Sequence, residues 1–189
     1  MYGLLNQAVQ AYVVSRHGDT MWTCVAEEVC PEDVPFLALE LYPDGVTFSL
    51  VAALAAATGE SADAMLADIS KFFAGYFATR GYDDLMRATG GSFAQFVRNI
   101  DLLHTQVSTM FPDVKVPSFR VTDESGMSLR LHYYSSREGL APMVVGLLQG
   151  VAARFGQELQ ISHDVIRGSG ADHDEFFLEF QPGRTIACQ

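Results

Sequence analysis

The spacing of apolar residues changes once along the chain. From residue 3 to about residue 111, apolar side chains recur every three or four positions, which is typical of amphipathic helices. From residue 118 onwards, several short segments alternate apolar and polar residues, which is typical of strands with one buried face. The pattern predicts an α+β fold in which helices come first and a small antiparallel sheet carrying one helix follows.

Serine, glycine and proline residues mark the ends of the predicted helices. Ser49, Ser61 and Ser92 are predicted N-caps, because a serine hydroxyl can accept a hydrogen bond from a backbone amide of the first turn. Gly81 is a predicted helix stop, and residues 43–45 are a predicted turn in an irregular stretch. The six helices predicted before the sheet cover residues 4–18, 20–31, 49–58, 61–81, 82–89 and 92–111.

The second half of the chain predicts two β-hairpins with a helix between them. The four predicted strands cover residues 118–122, 127–135, 158–167 and 175–181, and the helix covers residues 139–155. We expect a single domain over residues 1–182, followed by a short tail at 183–189. Within that domain we expect a helical subdomain at 1–60 and a sheet-bearing subdomain at 61–182.

The composition narrows the possible partners and compartments. A net charge of −11 repels nucleic acid and anionic lipid, so neither is an expected partner. No apolar run is long enough to span a membrane, and no signal peptide is found. An odd number of cysteines without a CxxC pair argues against a disulfide framework or a structural zinc site, which favours a reducing cytoplasm and leaves a redox role open. The cysteines are Cys24, Cys30 and Cys188.

One histidine lies on the apolar face of the last helix predicted before the sheet. His104 follows Ile100 by four residues and precedes Val107 by three, so it belongs to the buried stripe. A buried imidazole needs a partner, and either a haem iron or a backbone carbonyl could supply it. Taken alone, the position favours the carbonyl. The other histidines, expected at the surface and without metal-ligand spacing, are His17, His132, His163 and His173.

A predicted strand carries three hydrogen-bond donors on one side. Tyr133, Ser135 and Arg137 are spaced two residues apart, so in a strand all three point the same way. A guanidinium binds a carboxylate through two parallel hydrogen bonds, and the hydroxyls add further donors. Such a face could be solvent-exposed, but its apolar neighbours predict that it turns inward, where it would suit the two propionates of a haem. These neighbours are Met127, Leu129 and Leu131.

With both features, the chain resembles the haem–nitric oxide/oxygen binding (H-NOX) domain family, which includes the haem domain of the soluble guanylate cyclase β-subunit and stand-alone bacterial sensors. The resemblance runs from Met1 to about Gln181. The segments that carry it are residues 1–3 (MYG), 50–53 (LVAA), 81–82 (GY), 99–104 (NIDLLH), 117–120 (PSFR) and 132–140 (HYYSSREGL).

The resemblance implies a haem b held between the two subdomains, with the N-terminal helices over its distal face. It implies that His104 is the only protein ligand to the iron, and that Tyr133, Ser135 and Arg137 bind the propionates. Pro117 would press on the porphyrin and help to distort it. The remaining residues implied to contact the cofactor are Met1, Leu4, Phe73 and Met143.

The resemblance also bears on which gas binds. Oxygen-binding members of the family place a distal tyrosine, supported by Trp and Asn, against O2, and these positions align with Met143, Val9 and Phe73 here. Bound O2 gains far more from a donor than bound NO does, so we expect NO and CO to bind and O2 to be largely excluded. The alternative is a haem-based O2 sensor or carrier. Other possible sources of a donor are Tyr2, Tyr12 and Tyr76.

Enzyme patterns are not found in the sequence, so a non-enzymatic sensor is expected. A peroxidase would want a distal His or Arg, a hydrolase a motif such as GxSxG, and a nucleotide enzyme a Gly-rich phosphate loop. We hypothesise that NO binds the ferrous iron, weakens the bond between His104 and the iron, and shifts the His104 helix and the distal subdomain relative to each other. A separate partner, a histidine kinase or a cyclic-di-GMP enzyme in bacteria, would respond to that shift.

Overall fold

The computed structural model describes residues 1–30, 35–110, 113 and 115–182. The helices are α1 (Gly3–His17), α2 (Asp19–Val29), α3 (Asp44–Thr58), α4 (Ala62–Phe77), α5 (Asp83–Thr89), α6 (Phe93–Met110) and α7 (Ala141–Arg154). The strands are β1 (Ser118–Ser125), β2 (Ser128–Tyr134), β3 (Gln157–Val165) and β4 (Asp174–Pro182). The predicted fold class is confirmed. The predicted helix ends at Pro31 and Phe111, and the tail with Cys188, lie outside the described residues.

Two of the three predicted serine caps are confirmed. Ser61 Oγ accepts a hydrogen bond from Ala64 N at 3.2 Å, and Ser92 Oγ accepts one from Gln95 N at 3.3 Å. The prediction for Ser49 was wrong, because α3 already begins at Asp44 and the predicted turn is its first turn. A carboxylate in the first turn is favoured by the helix dipole, which explains the earlier start.

The join between α4 and α5 is a kink, because Arg80 and Gly81 have non-helical backbone angles. Helix α4 ends at Phe77, and Ala78–Tyr82 forms a π-type turn in which Gly81 has a φ of 88°. This left-handed conformation is easy for glycine because it lacks a Cβ. The predicted end of α4 at Gly81 was therefore about one turn too late.

The four strands form one antiparallel sheet in the order β1-β2-β4-β3. Successive side chains of β2 alternate between a buried inner face and a half-buried outer face. Leu129, Leu131 and Tyr133 are buried on the inner face, as predicted. Met127 is not, since it lies in the hairpin turn before β2 and is 45% exposed.

The chain divides into two compact units. Unit 1 comprises Met1–Tyr76 and Pro142–Leu147, and unit 2 comprises Phe77–Ala141 and Leu148–Gln189. This division differs from the expected one at residue 60, because α4 and the first half of α7 join the N-terminal helices. Within unit 1, a Cβ added at Gly146 would overlap the carbonyl oxygen of Ala67, so the backbones of α7 and α4 pass very close.

Among the described residues, no single helix is long and apolar enough to cross a membrane. Helices α3 and α4 meet that criterion only as a pair, and the pair is bent by 111° at its break.

Candidate functional site

The imidazole of His104 is held by its own helix. Its Nδ1 lies 2.8 Å from the carbonyl oxygen of Ile100, one turn earlier in α6. A carbonyl only accepts hydrogen bonds, so Nδ1 carries the proton and Nε2 of the neutral ring keeps a lone pair. The carbonyl partner expected for a core histidine is therefore present, and it leaves the second nitrogen available as a ligand.

The surroundings of His104 favour the neutral ring. Burial lowers the pKa of His104, and the Ile100 hydrogen bond and the charge of Asp101 only oppose that effect. A metal ion binds the neutral form of an imidazole, since a proton on the second nitrogen would occupy the lone pair. His104 is thus suited to coordinate a metal centre.

An aromatic row connects His104 to the predicted carboxylate-binding strand within unit 2. The His104 and Phe119 rings are 5.0 Å apart, and the Phe119 and Tyr133 rings are 5.4 Å apart. Asp101 Oδ1 accepts a hydrogen bond from Phe119 N at 2.8 Å, which fixes the start of β1 against α6. Sequence analysis gave Asp101 no role, although a residue three positions before His104 lies on the same side of the helix.

The predicted donors Tyr133, Ser135 and Arg137 are close together, but not by strand alternation. Tyr133 is buried in β2, and its hydroxyl is hydrogen-bonded to the Ser135 side chain; burial raises the pKa of Tyr133 above its ordinary value. Strand β2 ends at Tyr134, so the prediction of a strand reaching Arg137 was wrong. Instead a local turn joins the other two residues, since Ser135 Oγ accepts a hydrogen bond from Arg137 N at 3.0 Å.

Two guanidinium groups bind backbone carbonyl oxygens in or near this turn. The Arg137 side chain donates a hydrogen bond to the carbonyl oxygen of Lys115, in the segment before β1. Arg167 donates to the carbonyl oxygens of Ser135 and Arg137, the second at 3.2 Å. Arg167 was predicted as the last residue of a strand over 158–167, but β3 ends at Val165, and sequence analysis gave Arg167 no role in the site. The turn after β2 thus collects two hydroxyls and two cations, which is a donor set suited to carboxylates.

The remaining predicted contact residues are divided between the units. Pro117 is half-buried in unit 2, directly before β1. Leu4, Phe73 and Met143 belong to unit 1 and are half-buried there. Met1 is buried in unit 1, and its amino group donates to Tyr42 O and to Asp44 Oδ1, both at 2.6 Å.

Unit 1 also contains the residues expected on the distal side of the haem and the tyrosines considered as hydrogen-bond donors to the gas. Val9 is buried, and the Phe72 ring packs between those of Tyr12 and Tyr76, at centroid distances of 5.7 and 6.0 Å. Tyr2 forms an isolated bridge with Leu41.

One polar residue of unit 1 was not anticipated. Asn6 is fully buried in α1, and its Oδ1 accepts a hydrogen bond from Thr47 Oγ1 at 2.6 Å. Its Nδ2 has no hydrogen-bond partner among the described residues. The buried face of α1 thus carries one amide donor that has no partner among the described residues.

The residues of unit 2 fit a haem. A neutral imidazole with one nitrogen held by a carbonyl is the usual form of a proximal haem ligand, and the two guanidiniums and two hydroxyls suit the acid groups at the edge of the porphyrin. A helical chain with a small antiparallel sheet and this donor set defines a haem-binding class of protein.

Comparison with known proteins agrees with that class. The family model described as Haem-NO-binding matches residues 2–163. Soluble guanylate cyclase 89Db of Drosophila melanogaster is 33% identical over 155 residues, which are 82% of this chain and 23% of that protein. Guanylate cyclase soluble subunit beta-2 of Rattus norvegicus is 30% identical over 130 residues, 66% of this chain and 19% of that protein.

Solved structures are similar over almost the whole chain. An H-NOX protein from S. oneidensis, crystallised in the Fe(II)NO ligation state, has a TM-score of 0.86 and 26% identity, and the match covers 96% of this chain and 99% of that one. The unliganded Fe(II) H-NOX protein from K. algicida has a TM-score of 0.82 at 22% identity with full coverage of both chains, which shows the shared fold.

The chain belongs to the Haem-NO-binding, or H-NOX, family, whose domains bind haem and act as gas sensors. It spans about a quarter of the length of the curated cyclases that it matches.

Proposed function

We propose that this protein senses nitric oxide through a haem b whose iron is held by His104. The observation that carries the proposal is the hydrogen bond from His104 Nδ1 to Ile100 O, which orients the ring and leaves Nε2 as a ligand. The haem iron supplies a binding position for a diatomic gas. The protein would supply the iron ligand, the orientation of its imidazole ring and the side chains around the cofactor.

The turn after β2 is proposed to hold the propionates. Tyr133 and Ser135 would donate their hydroxyl protons, and Arg137 would add a charge-assisted hydrogen bond. Arg167 holds the backbone of the same turn and adds a second positive charge beside it. Pro117, directly before β1, is proposed to press on the porphyrin.

Selectivity for NO and CO over O2 is proposed from the residues assigned to the distal side. Val9, Phe73 and Met143 carry no hydrogen-bond donor. Bound O2 develops negative charge and needs a donor to be held well, whereas NO and CO depend on one much less. Met1 and Leu4 are proposed as further apolar contacts of the cofactor.

Absorption spectra of the purified ferrous protein test both parts of the proposal. We expect spectral shifts with NO and with CO, and no stable O2 complex in air. A protein that takes up no haem would contradict the cofactor assignment. A stable O2 spectrum would contradict the selectivity and leave the cofactor assignment intact.

One observation favours the alternative, a haem-based O2 sensor or carrier. Asn6 Nδ2 is a buried donor without a partner among the described residues. If it serves O2, Asn6→Leu should abolish a stable O2 spectrum that the unmodified protein shows. If the unmodified protein forms no such complex, the NO sensor stands.

We further propose that the signal passes to an effector protein. The relatives that are named soluble guanylate cyclases favour a cyclase as the effector. We also propose two other candidates, a histidine kinase and a cyclic-di-GMP enzyme. Adding the ferrous protein, with and without NO, to a purified candidate effector tests the proposal. An effector whose activity is the same in both states is not the partner.

A further inference from the structure

The outer face of the sheet carries a group of three potential metal ligands, contrary to the expectation that its histidines lack ligand spacing. His132 lies on β2, Glu175 lies directly opposite on β4, and His173 lies just before β4. All three are half-buried, and one ligand atom of each lies within 4.8 Å of the others. We call these residues the outer-face cluster. They point away from the sheet face that buries Tyr133.

The distances within the outer-face cluster match those between the ligands of one ion. His132 Nδ1 and His173 Nε2 are 3.0 Å apart. Glu175 Oε1 lies 3.5 Å from His132 Nδ1 and 3.2 Å from His173 Nε2. In a tetrahedral zinc site with bonds of about 2.0–2.1 Å, neighbouring ligand atoms are about 3.3 Å apart.

The far side of each imidazole is held by a second partner. His132 Nε2 is hydrogen-bonded to Thr122 Oγ1 at 2.8 Å, and His173 Nδ1 to Asp172 Oδ1 at 2.7 Å. Outer partners of this kind fix the orientation of metal-binding histidines. The Tyr134 ring stacks on the His173 ring at 4.3 Å and further restricts it.

The outer partners determine which atoms of the cluster can bind a cation. Asp172 is an acceptor only when ionised, so His173 Nδ1 donates to it and His173 Nε2 is turned towards the cluster. Two atoms lie near His173 Nε2, namely His132 Nδ1 at 3.0 Å and Glu175 Oε1 at 3.2 Å. A proton on His132 Nδ1 can join these atoms by hydrogen bonds, and a metal ion bound to all three would replace it.

The charges around the cluster allow a cation. Arg130 also approaches Glu175, but through the other carboxylate oxygen, at 3.4 Å, and it is paired with Asp123 and Asp164 as well. Oε1 of Glu175 therefore stays available to the cluster.

We propose that the outer-face cluster is a binding site for a divalent transition metal ion such as Zn²⁺, with His132 Nδ1, His173 Nε2 and Glu175 Oε1 as its ligands. Two imidazoles and one carboxylate suit Zn²⁺ rather than Ca²⁺ or Mg²⁺, which prefer oxygen ligands. Three protein ligands leave one position of a tetrahedral ion for an outside ligand. None of these three residues is part of the proposed haem site at His104, so the metal site does not depend on that proposal.

Zinc binding to the purified, untagged protein tests the proposal, with the thiols alkylated so that cysteines cannot bind the ion. Competition against a chromogenic chelator should show one site per chain. His173→Gln and Glu175→Gln should each weaken it by at least about tenfold, and Asp172→Asn by about tenfold through the outer partner. His17→Gln, which changes an exposed histidine outside the cluster, should leave it unchanged.

X-ray absorption at the zinc edge gives a second readout. Two imidazole ligands and one carboxylate are expected in the first shell, and one imidazole should be lost in His173→Gln. The proposal is overturned if the protein shows no saturable zinc site, or if affinity and spectrum are unchanged in both cluster variants. In that case protons alone hold the cluster together.

Discussion

Unit 1 and unit 2 differ in the polarity of the side chains that they place at the positions assigned to the cofactor. Unit 2 places an imidazole, two hydroxyls and two guanidiniums, most of them held by backbone carbonyls. Unit 1 offers mainly apolar side chains at the positions assigned to the cofactor, namely Leu4, Val9, Phe73 and Met143. In the proposed sensor the two units have opposite tasks. Fixed donors in unit 2 would hold the cofactor, and the apolar side chains assigned in unit 1 would offer no hydrogen bond to O2.

The largest expected effect comes from adding a hydrogen-bond donor at one of the apolar positions of unit 1 assigned to the distal side. Met143→Tyr should raise O2 affinity by about 10- to 100-fold, since a hydrogen bond to a charged acceptor contributes about 1.5–3 kcal/mol. O2 titration of the ferrous protein measures the change. Met143→Phe adds the ring without the hydroxyl and is the matched control. Equal O2 affinity in the two variants would show that position 143 does not face the gas.

The next effect tests the packing of α7 within unit 1. Gly146→Ala should cost about 1–3 kcal/mol, because the new Cβ would overlap the Ala67 carbonyl and the backbones must move apart. Thermal unfolding followed by circular dichroism should show a lower Tm. Gly75→Ala is the control, since its Cβ meets nothing and alanine favours the helix by up to about 1 kcal/mol. Similar Tm values for both variants would contradict the close approach.

A smaller effect is expected from replacing the two neighbouring tyrosines of β2 in unit 2, one at a time. Tyr133→Phe removes a buried hydroxyl from the proposed propionate site and should speed haem loss about tenfold, for a hydrogen bond of about 1–1.5 kcal/mol. Transfer of haem to an excess of apomyoglobin measures the rate. Tyr134→Phe changes the opposite face of the sheet, where the ring stacks on His173, and should leave the rate unchanged. Faster haem loss in Tyr134→Phe than in Tyr133→Phe would mean that the propionates lie on the other face of the sheet.

The smallest effect concerns an ion pair at the surface of unit 2. Arg98 on α6 is paired with Glu124 on β1, and both side chains are over a third exposed. Because water screens such pairs, Glu124→Gln should lower the free energy of unfolding by less than about 1 kcal/mol. Urea unfolding measures it. A loss of several kcal/mol would mean that this pair, and not the bond between Asp101 and Phe119, fixes α6 to β1.

The features that followed from local spacing were predictable from the sequence. The position of His104 on an apolar stripe, the caps at Ser61 and Ser92, and the inward face of β2 up to Tyr133 all depend on neighbours within a few residues. The start of α3 was missed although Asp44 is a local signal for a helix start, because the residues at 43–45 are also typical of a turn.

Features built from distant residues could not be predicted. Arg167 reaches the turn after β2 from beyond the end of β3. His132 and His173 are 41 residues apart in sequence, and only the pairing of β2 with β4 brings them together. Neither segment alone shows metal-ligand spacing, so the outer-face cluster becomes visible only once the register of the sheet is known.

The role of His104 as the iron ligand is tested most directly by replacing it and supplying imidazole from solution. In His104→Gly, the iron should lose its protein ligand, and the ferrous spectrum should change or the haem should be lost. Added imidazole should restore the spectrum of the unmodified ferrous protein, because it occupies the space of the missing ring. An unchanged ferrous spectrum in His104→Gly without imidazole would contradict the assignment of His104 as the haem ligand.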